Sequence, residues 1–299
     1  MTLPVGLHLN IPAAVYHADP CERPALSSSI AKILLEQSAE HAYAAHPRLG
    51  GGRAAVDEDE DDKETGPMRM GSLVHHLLLG GGSQYVRVLT RDAKTGEMDE
   101  AQDYRTKSAQ EHRDMILEQG KVPVLGKKYD TAEKFCAKLR PKLAIPEQTE
   151  VTAIWESGGV LCKGRLDGLH VDGNRASIYD LKSTSAGNAL RASTVASMVG
   201  YGYHIQRAAY VEAVRTRVPK VHTVEFEFAF AEVGGVCGVV RRDLPPEAIT
   251  LGELLWKRAK KNWAVFTKHD AWPGYPEDKR VDECPPWILA QLETELLHG

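Results

Sequence analysis

The sequence predicts an α/β fold in which a mixed central sheet is flanked by helices. Runs of alternating polar and apolar residues are typical of strands, and longer runs with apolar residues every three or four positions are typical of helices. The two patterns follow one another along the chain, as expected when helices cover the faces of one sheet. Strands are predicted at about 84–90, 149–156, 160–171, 176–181, 221–231 and 233–242, and helices at about 68–79, 99–119, 128–140, 201–215, 246–267 and 286–297.

The length and composition are those of an ordinary globular protein. The 299 residues include 42% hydrophobic and 26% charged residues, enough for one large domain or two small ones. The longest strongly apolar segment, 73–79, is too short to span a bilayer, and the first residues lack the pattern of a signal peptide, so a cytoplasmic location is expected. The 5 cysteines contain no Cys-x-x-Cys pair, which argues against a disulfide framework or a cysteine-ligated metal centre.

One acidic segment determines the net charge of the chain. The formal charge is −4, but residues 57–64 alone hold seven acids and one lysine, so the remainder is slightly positive. The negative total therefore does not exclude a nucleic-acid partner. The segment lacks apolar periodicity and is predicted to be a solvated loop.

The N-terminal quarter is predicted to contain an arm and a helix. Residues 1–26 hold four prolines and suggest an extended arm with one short strand. Serines at 27–29 precede a helix predicted to end before Pro47, because serine is a preferred N-cap. A serine-rich helix N-terminus can also bind a phosphate through backbone N–H groups, although capping alone is the simpler interpretation.

The helix predicted at 68–79 combines an apolar stripe with a small residue and a histidine. Gly71 and His75 are four positions apart and therefore lie on one face of the helix. A glycine allows another backbone to approach, and an imidazole can reach a metal ion. A hydrogen-bonded core histidine is the alternative interpretation of His75.

The stretch 161–183 predicts a β-hairpin with charged residues at one sheet edge. Its two strands flank the turn residues Asp172-Gly173-Asn174. Asp167 falls on the first strand, whereas Asp180 and Lys182 share one face of the second. Two carboxylates beside a lysine suit a magnesium or manganese ion that polarises a phosphodiester. A surface salt bridge between Asp180 and Lys182 is the alternative.

In their order along the chain, these features resemble the PD-(D/E)xK nuclease superfamily. The resemblance is closest to its exonuclease branch, which contains RecE (exodeoxyribonuclease VIII), the RecB nuclease domain and lambda exonuclease, and within it to the RecE-type exonucleases. It spans roughly 7–265. The residues that carry it are Leu26-Ser27-Ser28-Ser29, Met70-Gly71-Ser72-Leu73-Val74-His75, Glu150, Gly164-Arg165-Leu166-Asp167, Tyr179-Asp180-Leu181-Lys182-Ser183-Thr184 and Gln206-x-x-x-Tyr210.

The resemblance implies a role for each of these site residues. His75, Asp167, Asp180 and the Leu181 carbonyl would be metal ligands, and Lys182 would be the catalytic lysine. Glu150 would be a catalytic residue at the family's acidic position on the first core strand, where it would hold metal-bound water or a second ion, and Glu156 is its competitor. Gln206 and Tyr210 would contact the DNA backbone, and Ser28 and Arg165 are candidates to bind a terminal phosphate. The acidic segment 57–64 is not part of the family pattern.

The resemblance also implies the reaction and the partners. The expected activity is Mg²⁺-dependent exonuclease digestion, with Mn²⁺ as a possible substitute, of one strand of linear double-stranded DNA. A 5′-to-3′ polarity would leave 3′ single-stranded tails for recombination by a RecT-like annealing protein, and a homo-oligomeric ring of three or four copies is expected. The alternatives are a structure-specific or single-strand endonuclease of the superfamily and a catalytically silent DNA-binding module.

The expected organisation is one nuclease domain over residues 1–299. An N-terminal arm, helix and acidic loop occupy 1–67, and the nuclease core occupies 68–245. The core contains a helical insertion at about 95–145, and helices fill 246–299.

Overall fold

A computed structural model describes residues 2–50, 66–81, 84–92, 95–277 and 283–298. Ten strands lie within these ranges. They are β1 Gly6–His8, β2 Tyr85–Arg87, β3 Leu89–Arg91, β4 Met98–Glu100, β5 Val122–Val124, β6 Gln148–Ser157, β7 Val160–Asp172, β8 Arg175–Ser185, β9 Thr223–Val233 and β10 Val239–Arg242.

The helices of the described residues are distributed along the whole chain. They are α1 Ala13–His17, α2 Ser28–Glu36, α3 Ala39–Ala45, α4 Gly66–Leu79, α5 Lys107–Glu118, α6 Gly126–Leu139, α7 Ala189–Ala192, α8 Val195–Gly200, α9 Tyr203–Arg217, α10 Pro246–His269 and α11 Pro286–His298, with a 3₁₀ turn at Arg140–Lys142.

Six of the described strands form the central sheet in the order β1-β6-β7-β8-β9-β10. All neighbours are antiparallel except β8 and β9, which are parallel and are joined by a crossover through α7, α8 and α9. The predicted fold class, a mixed sheet flanked by helices, is confirmed. The predicted hairpin is β7 and β8, with Gly173 in the left-handed region (φ 56°) at the turn.

The two faces of the sheet pack against different helices. On one face, α2, α9 and α10 enclose the larger core, which contains Phe228 and Phe230 of β9. On the other face, α4 and α6 pack on Leu181 of β8 and on Ala229 and Ala231 of β9. Strand alternation thus places Leu181 in an apolar layer and its neighbours on the opposite face.

The structure corrects several predicted elements. The single helix after Ser27 is two helices, α2 and α3, because Gln37 leaves helical geometry and the Ser38 side chain accepts a hydrogen bond from the His41 N–H to cap the second helix. The helix predicted at 99–119 starts only at Lys107, since Met98–Glu100 pairs with β3 as an antiparallel strand. The predicted strand 84–90 is divided between β2 and β3, and β2 pairs with the unpredicted β5.

Two further findings concern the acidic segment and the possibility of a membrane-spanning helix. The acidic segment 57–64 lies outside the described residues. Among the described helices, none is both long and apolar enough to cross a membrane.

Candidate active site

The candidate site begins where β7 and β8 stop pairing with one another. Their described ladder runs from Asp172 and Arg175 to Gly168 and Tyr179. Beyond it, the Leu181 N–H donates to Asp167 Oδ2 at 2.7 Å, so a carboxylate takes the place of a backbone acceptor. Because N–H and C=O of one strand residue point to the same side, the Leu181 carbonyl also faces β7.

Helix α4 brings His75 to this gap. Gly71 permits the approach, since a Cβ at that position would lie 2.7 Å from Ser183 Oγ on β8. His75 Nε2 lies 3.2 Å from Asp167 Oδ2, and His75 Nδ1 lies 3.7 Å from Glu150 Oε1. The spacing of Gly71 and His75 therefore docks the helix and places the imidazole among the acids.

Glu150 reaches the same point from β6 through an unusual backbone conformation. Its φ is 53°, a region that non-glycine residues rarely adopt and that is strained within a strand. The end of α4 packs tightly here, because a Cβ at Gly81 would lie 2.0 Å from Glu150 Cγ. The competitor Glu156 lies near the other end of β6, where it is about half exposed and 3.6 Å from Arg23.

A second group of polar side chains continues from the acids across the sheet. Lys182 Nζ lies 2.6 Å from Asp180 Oδ2 and donates to Gln206 Oε1 at 3.0 Å. The Gln206 amide donates to Asp180 Oδ1 at 2.9 Å and to the Tyr210 hydroxyl at 3.2 Å. Gln206 therefore fixes the positions of both Asp180 and Lys182, with Tyr210 behind it.

Burial and neighbouring charges together shift the pKa values of these groups in opposite directions. Burial raises the pKa of Asp180 to about 6, although Lys182 opposes the shift. Burial also raises the pKa of Glu150. The pKa of Asp167 is lowered, because His75, Lys182 and the Leu181 N–H outweigh its burial. For Lys182, burial lowers the pKa, but Asp180 and Asp167 reverse the effect and the net shift is upward.

The donor set fits a divalent cation. One ligand atom each of His75, Glu150 and Asp167 lies within 4.8 Å of the others. Together with Asp180 they supply three carboxylates beside two fixed cations, Lys182 and Arg165, whose Nε is 2.7 Å from Glu150 Oε2. The pKa of His75 is raised, because its burial is outweighed by Asp167 and Glu150. A buried excess of carboxylates is costly without a cation, and oxygen donors with one imidazole suit Mg²⁺ or Mn²⁺.

The structure gives Arg165 partners that the sequence did not indicate, and it places Ser28 beside a helix cap. Arg165 donates to the Ile11 carbonyl at 2.7 Å, and its guanidinium lies 5.1 Å from the Tyr16 ring, so the N-terminal arm covers it beside Glu150. Ser28 is the first residue of α2 and is half-buried, while Ser27 is the capping residue. Binding of a terminal phosphate by Ser28 or Arg165 stays a prediction, as do the roles of the other site residues.

Three features of the site escaped the sequence analysis. They are the cover that Tyr16 and Ile11 form over Arg165, the contact between Gly81 and Glu150, and the position of Tyr203, whose ring centroid lies 4.4 Å from Lys182 Nζ. The double glycine at 80–81 after an apolar helix was the available signal for the second feature. The first and third carry no local sequence signal.

Comparison with known proteins places this site in a family. Residues 28–234 match the model of the family described as a PDDEXK-like domain of unknown function (DUF3799). A crystal structure from Eubacterium rectale, named "putative exonuclease", has a TM-score of 0.55 at 15% identity and covers 95% of this chain and 98% of that chain. An identity this low shows the shared fold alone. No curated protein matches the sequence.

Proposed function

Since the chain belongs to the family of the PDDEXK-like domain of unknown function, within the PD-(D/E)xK nuclease superfamily, we propose that it is a divalent-metal-dependent exodeoxyribonuclease acting on linear double-stranded DNA. The observation that carries the proposal is the convergence of His75, Glu150 and Asp167 beside the Asp180–Lys182 pair. Buried acids around one lysine have no packing advantage but suit phosphodiester hydrolysis.

The proposed metal ligands are His75, Glu150, Asp167, Asp180 and the carbonyl of Leu181. A divalent ion held there supplies Lewis-acid activation of the phosphodiester and of a nucleophilic water. Mg²⁺ is proposed as the natural ion, with Mn²⁺ as a substitute, because acids dominate the donor set.

Lys182 would stabilise the charge that develops on the phosphate. Asp180 and Asp167 raise its pKa, so the ammonium stays protonated at neutral pH. Gln206 accepts one of its hydrogen bonds and fixes the direction of Nζ. A positioned cation in a site shielded from water stabilises a transition state better than a mobile one.

Gln206 and Tyr210 would act mainly through Asp180 and Lys182. The Gln206 amide is engaged by Asp180, Lys182 and Tyr210, and Tyr210 is buried. Gln206 is half-buried and is proposed to contact the DNA backbone directly. Tyr210 is buried and would act on the DNA only through Gln206.

The finer features of the proposal follow the RecE-type resemblance. They are 5′-to-3′ polarity, production of 3′ single-stranded tails for strand annealing, assembly into a ring of three or four copies, and a cytoplasmic location with a RecT-like partner. The name of the Eubacterium rectale protein supports exonuclease activity.

Digestion of end-labelled DNA tests the proposal. Linear duplex labelled at either end is compared with closed circular DNA, in Mg²⁺, Mn²⁺ or EDTA. Metal-dependent release of 5′ label from linear DNA alone is the expected result. Release of 3′ label would reverse the polarity, and cutting of the circle would indicate an endonuclease. DNA binding without any cutting would leave a silent DNA-binding module.

A further inference from the structure

A stack of aromatic rings extends outward from the strand pair that carries Asp180 and Lys182. In the β8–β9 register, Asp180 pairs with Phe228 and Lys182 with Phe230, and both phenylalanines are fully buried. The Tyr203 ring stacks on Phe228, with centroids 5.6 Å apart and planes inclined by 20°. Lys182 Nζ lies 4.4 Å from the Tyr203 centroid. The candidate catalytic lysine thus lies over the Tyr203 ring of this stack.

Tyr201 is the outermost ring of the stack. Its centroid is 5.6 Å from that of Tyr203, with an interplanar angle of 26°. Residues two positions apart do not face each other on a helix, but Gly202 turns the chain between them with φ 81°. Side chains of L residues rarely adopt this conformation, so glycine is favoured at this turn.

The stretch of chain that contains Tyr201 exposes apolar side chains that packing does not explain. Tyr201 is 61% exposed, and the same stretch of chain exposes Leu190 at 70% and Val195 at 46%. A ring whose only purpose was to cover Tyr203 would be expected to bury more of its own area. Flat rings beside cationic groups are the means by which proteins bind unpaired bases, with the ring under the base and the cation at the phosphate.

We propose that Tyr201 is a stacking platform for a nucleobase of the strand whose phosphate lies at Lys182. This inference rests on the proposed nuclease function and specifies how one strand of the substrate is held there. The two steps of 4.4 and 5.6 Å from Nζ through Tyr203 to Tyr201 place the Tyr201 centroid no more than about 10 Å from Nζ, so the base belongs to a nucleotide near the phosphate under attack. Stacking does not depend on base identity, so the platform suits an enzyme that digests any sequence.

Binding of single-stranded oligonucleotides in EDTA tests the platform without cleavage. The full chain is titrated with labelled oligonucleotides that are intact or abasic at one position, and the series moves the gap along the strand. We expect one abasic position to weaken binding by wild type roughly 5- to 100-fold. Tyr201→Ala should weaken binding of the intact strand similarly and remove the sensitivity to that gap. Tyr201→Trp should restore both.

Tyr275 provides the matched control. It is also 61% exposed, but its ring neighbour is His41 of α3 rather than the stack beside Lys182. Tyr275→Ala should bind like wild type. Wild type that does not bind, a twofold or smaller change in Tyr201→Ala, or an equal loss in both tyrosine variants would overturn the platform.

The test separates this inference from the proposed function. Cleavage by wild type in Mg²⁺ is measured on the same oligonucleotides annealed to a complement. Cleavage with unchanged binding by Tyr201→Ala overturns the platform but leaves the nuclease. Base-dependent binding through Tyr201 without cleavage would support the stacking platform and contradict the proposed nuclease activity.

Discussion

Two groups of charged side chains meet at strand β7, which contributes Lys163 to one and Asp167 to the other. The two groups differ in their balance of acids and cations. The Asp19 cluster, on the side of the N-terminal arm, consists of Asp19, His46, Arg48 and Lys163. The acid-rich cluster, four residues further along β7, consists of His75, Glu150, Asp167, Asp180 and Lys182.

In the Asp19 cluster, one carboxylate is surrounded by donors. Asp19 has no exposed side-chain area, lies within 3.4 to 3.7 Å of three basic side chains, and accepts a hydrogen bond from the Ala25 N–H at 3.2 Å. In the acid-rich cluster three carboxylates share one lysine and one imidazole, and Arg165 lies beside Glu150. In the first arrangement three basic side chains face one acid, whereas in the second two fixed cations, Lys182 and Arg165, face three acids.

The pKa values of two buried lysines, one in each cluster, are shifted in opposite directions. Burial lowers the pKa of Lys163, and its single acid does not reverse the shift. Burial lowers the pKa of Lys182 as well, but Asp180 and Asp167 reverse it. The ratio of acids to cations, rather than burial, therefore accounts for the opposite pKa shifts of the two lysines.

The largest expected effect is on activity, from the acid-rich cluster. Asp180→Asn and Asp167→Asn should each reduce DNA cleavage on the order of 10³-fold or more, because a metal ligand is lost. Without metal, Asp180→Asn should change thermal stability little, because burial raises the pKa of Asp180 and the folded state disfavours its charge, whereas Asp167→Asn should lower it, because the pKa of Asp167 is lowered in the folded state. Cleavage rates and melting curves in EDTA check both statements, and a large fall in melting temperature with retained cleavage would reverse the assignment.

The next effect is on stability, from the Asp19 cluster. Asp19→Asn should lower the free energy of unfolding by roughly 3–5 kcal/mol, because Lys163 is left buried without its partner charge. Denaturant titration measures this change. Once the variant is folded at low temperature, its cleavage rate should be close to that of wild type, and a loss comparable with that of Asp180→Asn would show that the two clusters are not separate.

Gln206 offers a smaller effect on activity. Gln206→Ala should lower kcat roughly 10- to 100-fold, because Asp180 and Lys182 lose the side chain that fixes them. Gln206→Glu keeps an acceptor for Lys182 but places an acid beside Asp180. Its kcat should therefore be little higher than that of Gln206→Ala. Single-turnover cleavage at saturating DNA separates this loss from weaker binding, and an effect confined to KM would contradict a positioning role.

The smallest effect is a pH dependence of stability. Burial lowers the pKa of His46 below its usual 6.5, so the folded state disfavours the protonated imidazole. The unfolded chain then binds the extra proton, and stability is full above about pH 6.5 and falls below it, by at most about 1.4 kcal/mol per pH unit. Urea titrations from pH 5 to 8 should show a shallower slope in His46→Gln, and an unchanged slope would exclude His46 as the cause.

The comparison also shows what the sequence could reveal. Gly71-x-x-x-His75 and Asp180-x-Lys182 are local patterns, so helix and strand periodicity were sufficient to place those side chains on defined faces. The left-handed conformation of Glu150 had no such signal.

The Asp19 cluster could not be predicted from the sequence, for a different reason. Lys163 contacts Asp19, and its neighbour Arg165 contacts Ile11, across about 150 intervening residues. Periodicity carries no information about such distant pairs. For the same reason, the sequence could nominate Arg165 for phosphate binding without revealing its contact with Glu150.

Calorimetric titration with Mn²⁺ and Mg²⁺ is the most direct test of the acid-rich cluster as a metal site. The titration compares wild type, Asp167→Asn and, at a temperature where it is folded, Asp19→Asn. Saturable binding by wild type and Asp19→Asn, abolished in Asp167→Asn, is the result that the charge balance predicts. Absence of saturable binding in wild type, or equal binding in all three proteins, would contradict it.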